Sequence, residues 1–243
     1  MDIGKSFTFQ FEDRRWASKL GLGILISLVP ILNFALSGYL AHLVRNVMDG
    51  ASETLPDWDG LGRKFTDGVI LLAAGLVYAL PVLVVVCLPL AMFGVSGLFS
   101  GNNDLQSVGR SIATAGGALL FCLACVFILY AILLSVIHPA ITVMFAREGT
   151  FAACFKVRDV LKMVSSNAGP FFTAWIVYVV AVMGVGLVVG MLNVAIGWIP
   201  CFGWIVSGVL GLGSAVYLLT MYAHLFGQFG LVAFGQKPGD LSS

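Results

Sequence analysis

Three histidines, a few intramembrane amides and one close acidic pair are the side chains of this chain whose chemistry could go beyond packing. His138, His224, Asn33, Asn193 and Gln228 fall within or beside long apolar stretches. Polar or ionisable groups at membrane depth cost free energy and are functional candidates by default. Their spacing tempers that default. His138 precedes Pro139 near an expected helix break, whereas His224 and Gln228 lie four apart and share one helix face, one turn apart. Such a pair can hydrogen-bond a neighbouring helix, or it can line a transport or ligand site. The three histidines are too far apart, and too far from carboxylates, to form a metal site, so no metal or other cofactor is expected.

Asp57 and Asp59 resemble an acid pair, but they stand where a helix begins, and capping explains them more simply. No spacing supports a Ser–His–Asp system, and the chain reads as non-enzymatic. Cys122 and Cys125 form a CxxC inside Phe-Cys-Leu-Ala-Cys-Val-Phe, a continuous apolar run, where small polarizable packing residues are the simpler reading. Five scattered cysteines do not make a disulfide framework.

These residues must be positioned by helices in lipid. Of the 243 residues, 59% are apolar and 10% charged, with a mean hydropathy of +1.00. Several uncharged stretches exceed the roughly 20 residues needed to cross about 30 Å of hydrocarbon. The apolar runs are continuous, which excludes the alternating pattern of a membrane barrel. Net charge +1 and the lack of a basic tract argue against nucleic acid as a partner. No cleavable leader is expected, because Asp2, Glu12 and Asp13 interrupt the start. The fold class is all-α: a single polytopic membrane domain over residues 1–243, with short interfacial amphipathic helices.

Residues 1–16, with Phe7, Phe9 and Phe11, suit an interfacial segment. Full spans are expected over 69–98, 112–145, 171–196 and 204–229. A second interfacial helix is read from Asp57, Trp58, Asp59 and Phe65, whose apolar side is Trp58, Leu61, Phe65 and Val69, with Arg63, Lys64 and Asp67 outward. A third amphipathic connection runs from Phe151 to Val164, with Phe151, Phe155, Val160, Leu161 and Val164 on one side. Breaks are expected at Pro81, Pro89 and Pro139.

Residues 17–44 are decided by charge. If this stretch crosses, basic residues divide five against eight between the two sides. If it enters and returns, Lys5, Arg14, Arg15, Lys19, Arg45, Arg63, Lys64, Arg147, Lys156, Arg158, Lys162 and Lys237 share one side, leaving Arg110 alone on the other. The second arrangement obeys the positive-inside rule, and Pro30 sits where the turn must be. Each limb is about 13 residues, roughly 20 Å of helix, too short to cross. Backbone freed at the turn needs protein partners, and Asn33 is a candidate. The expectation is four spans plus an N-terminal re-entrant or kinked hairpin, both termini cytoplasmic.

Gly186-x-x-x-Gly190 and Ser207-x-x-x-Gly211-x-x-x-Ala215 put small residues on one side of the last two spans. Small ridges let helices approach closely, either within one monomer or between subunits.

Leu55-Pro56-Asp57-Trp58-Asp59-Gly60 followed by Phe65-Thr66-Asp67-Gly68 resembles an uncharacterised family of prokaryotic membrane proteins, domain-of-unknown-function family 4013. The likeness extends to Ile26–Asn46, with Pro30, Asn33 and Gly38-Tyr39-Leu40, to Phe151–Pro170, and to Ala223–Gln228. It implies a small multipass helical fold in the cell envelope, here the inner membrane, and no activity. The expected function is a membrane scaffold or accessory subunit, self-associating as a homo-oligomer or part of a complex, with membrane lipids as partners, that organises or shapes the bilayer. The alternative is a small transporter or channel whose broken helices line a pocket or pore.

Overall fold

A computed structural model of the chain describes residues 1–99, 106–199 and 202–235. The polar gap at 100–104, Pro200 and Cys201 of the expected turn, and the tail from 237 onward lie outside the described residues, as do the side chains of Pro89 and Cys125. Eight α-helices follow in order: α1 (Ile3–Glu12), α2 (Trp16–Ser27), α3 (Asn33–Met48), α4 (Leu61–Phe99), α5 (Gln106–Glu148), α6 (Val157–Ser166), α7 (Ala168–Ile196) and α8 (Phe202–Ala233). A 3₁₀ turn at Phe151–Phe155 precedes α6, and no strand occurs among the described residues. Four helices are long and apolar enough to cross a membrane: Leu61–Ser96 of α4, α5, α7 and α8.

The stretch over residues 17–44 is two helices. Proline 30 has no N–H for the carbonyl of Ile26, and its ring clashes with the preceding turn. The Val29 N–H takes the Ile26 carbonyl instead, at 3.2 Å, and α3 restarts where the Asn33 N–H reaches the Val29 carbonyl at 2.9 Å. At 12 and 16 residues, α2 and α3 are about 18 and 24 Å long, short of a full crossing. The other expected breaks are absent: α4 runs on through residues 81 and 89, and α5 through Pro139.

The chain divides into two compact units, residues 1–72 with 139–243, and residues 73–138. In the first, α8 is the centre, packed on α3 and α7 and covered by α1 and α2. Phe171 meets Phe229 edge-on and Phe226 at a tilt, and Tyr178 meets Tyr222 edge-on. Close approach requires glycine at two crossings. A Cβ on Gly38 would overlap the Lys64 carbonyl, and one on Gly68 would overlap the Phe34 carbonyl, so α3 and the start of α4 touch backbone to backbone. In the second unit the two helix segments run antiparallel, with the Tyr130 hydroxyl donating to the Tyr78 carbonyl at 2.6 Å.

Segment α1 is helical from its first turn because Asp2 caps it, its carboxylate accepting from the Lys5 N–H at 2.9 Å. Helical spacing separates the three phenylalanines: Phe9 is buried with Ser6 and Gln10, while Phe7 and Phe11 face outward.

Candidate functional site

The broken pair α2–α3 departs from simple helical spans, and its two ends differ in character. At the turn, Leu25, Leu28, Val29, Ile31 and Leu32 are exposed, Ile31 by 66%, with no charge among them. Pro30 and Asn33 are also exposed there, and it is the Asn33 backbone, not its amide, that serves the turn.

At the other end a lysine is buried. The Lys19 side chain is 5% exposed, and its ammonium lies 2.6 Å from Asp13, 3.3 Å from Asp57 and 3.7 Å from Glu53. It also donates to the Leu55 carbonyl at 2.9 Å. Arg15 adds a second cation on Asp57 at 2.9 Å. Burial pulls the Lys19 ammonium toward neutrality, but hydrogen bonds and charge from Asp13 and Asp57 outweigh it and hold its pKa above the ordinary lysine value. Burial likewise pushes Asp13 and Asp57 up, and Lys19 with Arg15 more than reverses this, leaving both carboxyls below the usual range.

Trp58 closes the same site. Its indole donates to the Lys19 carbonyl at 2.7 Å and stacks on Tyr39, ring centroids 4.4 Å apart. The expected interfacial helix from Asp57 is thus corrected. Helix α4 begins only at Leu61, on the Gly60 carbonyl, and Asp57 binds cations from α2 and its approach rather than capping. The Asp59 carbonyl accepts from Lys64 Nζ at 2.6 Å, which keeps Lys64 buried instead of outward. Asp67 also turns inward, accepting from His42 Nε2 at 2.8 Å. Phe65 packs near Phe34, while Leu61 and Val69 remain exposed, because the face turned to α3 is the one carrying Gly68.

A polar ladder fastens α1 to α8. The Gln228 amide pairs with the Asp2 main chain, accepting its N–H at 2.6 Å and donating to its carbonyl at 3.0 Å. Gln228 also donates to His224 Nδ1 at 3.2 Å, and Ser6 Oγ stands 3.0 Å from that nitrogen. Phe9 stacks on the imidazole at 4.1 Å. One turn further, Gln10 donates to Thr220 at 2.7 Å. His224 and Gln228 hydrogen-bond a neighbouring helix, as their spacing allows, and that helix is α1, whose polar face of Ser6 and Gln10 is obscured in the sequence by the alternating phenylalanines. His138 belongs to the other unit.

The small residues divide. At Gly186, Gly190, Gly208 and Gly211 an added Cβ would meet no described atom within 4 Å, and Ala215 is exposed. Ser207 turns toward the α7–α8 connection, where its Oγ and Asn193 Oδ1 are buried without hydrogen-bond partners among the described residues. No described residue approaches these four glycines closely enough to require a missing side chain. The expected one-sided face on the Phe151–Val164 connection is also narrower: Val160 and Met163 are buried, Phe151 and Leu161 exposed.

An all-helical chain with four helices long and apolar enough to cross a membrane points to a polytopic membrane protein. The family described as "Protein of unknown function (DUF4013)" matches residues 21–194, and the chain belongs to it. The match begins within α2, after Lys19, takes in the turn at Pro30 and α3, and runs into α7; the likeness at Ala223–Gln228 lies beyond it. No curated protein and no solved structure matches the chain.

Proposed function

We propose that this protein is a non-enzymatic membrane scaffold or accessory subunit, in which α2–α3 enters the bilayer from the cytoplasmic side and returns. The observation that carries this reading is the polarity of the pair: an uncharged, exposed apolar tip above a base held by Lys19 and its carboxylates. Only the tip is suited to hydrocarbon, and it is too short-limbed to reach the far side. The bond from Asp2 to Gln228 supports both ends of the chain lying on one side, which twelve of thirteen basic residues make the cytoplasmic side of a prokaryotic inner membrane. A wedge in one leaflet, with glycines on α7 and α8 open to a second copy, supports a role in organising or shaping the bilayer.

The rival, a transporter or channel, is weakened by the continuity of α4 and α5 through their prolines. The cavities between α4 and α5, one beside Pro81 and one beside Val85, are small, about 90 and 170 Å³, and lined by apolar residues; a larger one, about 880 Å³, lies where α1 meets α8, beside Asp2, His224 and Gln228. Reconstitution into liposomes at increasing protein density tests the proposal. Tubulation, flattening or ordered arrays seen by electron microscopy support it; unchanged vesicles with dispersed monomers remove it.

A further inference from the structure

We propose that α6 is a binding surface for anionic phospholipid headgroups, held by Arg158 and Lys162 while Val157 and Leu161 enter the acyl region. This rests on the reading of α5 and α7 as membrane spans and names the lipid that one face of the protein selects. The connection from Glu148 to Ala168 joins two such helices, and a single residue, Asn167, separates α6 from α7. Its depth is therefore the membrane interface.

Around α6, at 100° per residue, four sectors follow one another. Val160 and Met163 are buried against the protein. Beside them Val157 and Leu161, one turn apart, are 39% and 49% exposed, and Phe151 from the preceding turn is 44% exposed. Next come Arg158 and Lys162, also one turn apart and exposed. Asp159 lies beyond the basic pair, away from the apolar strip, in the first turn where the helix dipole favours an acid. Apolar strip and basic strip adjoin, as an in-plane interfacial helix requires.

Other cations nearby are already engaged. Lys156 pairs with Glu148 at 2.8 Å, Arg45 donates to the Ala146 carbonyl at 2.7 Å, and Arg147 lies 3.8 Å from the centre of the Phe234 ring. The Arg158 guanidinium and the Lys162 ammonium form no ion pair or hydrogen bond among the described residues, and both side chains are exposed, so their charge is directed outward. Two cations spaced one turn apart, at headgroup depth, fit phosphate diesters carrying net negative charge. Zwitterionic headgroups offer them no net charge.

The test uses the full chain in nanodiscs containing equimolar phosphatidylcholine and phosphatidylglycerol, released into detergent and weighed by native mass spectrometry. The expected result is retained lipid enriched in phosphatidylglycerol. Arg158→Gln and Lys162→Gln each reduce that enrichment, by roughly fivefold per charge. The exchange Arg158→Lys with Lys162→Arg preserves it. Because both side chains are exposed, circular dichroism of the variants stays that of the parent. Unchanged enrichment in the double glutamine variant overturns the proposal, as does its loss with Arg63→Gln alone. A double variant that keeps its lipid but loses a co-purifying protein assigns the surface to that protein and also overturns it. Failure of liposome remodelling with enrichment intact removes the scaffold reading and leaves this one. Release of the chain by carbonate extraction removes both.

Discussion

Replacing Lys19 by methionine removes the cation that forms an ion pair with the buried Asp13 carboxylate. Asp13 is 7% exposed and 2.6 Å from the ammonium, so the variant strands a buried charge. Truncating one partner of such a pair costs about 3–5 kcal/mol. Asp57 and Glu53 are 42% and 68% exposed and relax into water, adding at most about 1 kcal/mol. A loss of that size in a chain of this length lowers the unfolding midpoint by roughly 6–20 °C. The assay is a thermal ramp in mild detergent, followed by size-exclusion chromatography. A second substitution separates charge from shape. Asp13→Asn neutralises the stranded group yet keeps the acceptor for the Arg15 N–H, bonded at 2.7 Å. In the Lys19→Met background it restores on the order of 2 kcal/mol; in the parent it destabilises. A Lys19→Met variant as stable as the parent, or no rescue by Asp13→Asn, refutes the reasoning.

The remaining expectations concern packing, pH and the α1 strap. Gly38→Ala forces α3 from the Lys64 backbone and costs about 1–3 kcal/mol, read in the same thermal assay, while Gly211→Ala is neutral. Gly211→Leu leaves the monomer folded but lowers the native mass in mild detergent if copies meet along α7 and α8; an unchanged native mass counts against self-association there. The Lys19 cluster also predicts a pH window. Depressed carboxyls at Asp13 and Asp57 contribute stability above the ordinary carboxylate pKa, lost as pH falls through their folded values; the raised Lys19 contributes below the ordinary lysine pKa, lost as pH rises through its folded value. Midpoints measured across pH should fall at both extremes and be flat between. Gln228→Leu removes both bonds to the Asp2 main chain, and hydrogen exchange in α1 should accelerate about tenfold or more, with α3 unaffected.

The all-helical class, the four long apolar helices and the interruption at Pro30 were legible in the sequence because each rests on a local rule: length of apolar run, and a missing N–H. The breaks at Pro81, Pro89 and Pro139 were not, because a long helix can carry a proline when its neighbouring turns continue and the lost bond is a single one. The role of Asp57 escaped for a different reason. A capping residue and a partner for a distant lysine look alike in sequence, and Lys19 is 38 residues away. Lys64 and Asp67 were read as outward from charge alone, whereas the Gly38–Gly68 approach turns their face inward. Two adjacent signals could have found this: glycine in both helices, and His42 one turn beyond Gly38. Ser6 and Gln10 lie at helical spacing with Phe9, a face that the alternation of phenylalanines obscured.

The central claim is that residues 17–44 enter and return. In a chain whose five native cysteines are replaced by alanine, Gly4→Cys and Asp240→Cys are labelled in turn with a membrane-impermeant maleimide, in intact cells and in inverted vesicles. The account predicts that both positions react only in inverted vesicles, and that Ile31→Cys reacts in neither. Labelling of position 4 and position 240 from opposite sides would show that the segment crosses, and the hairpin would be wrong.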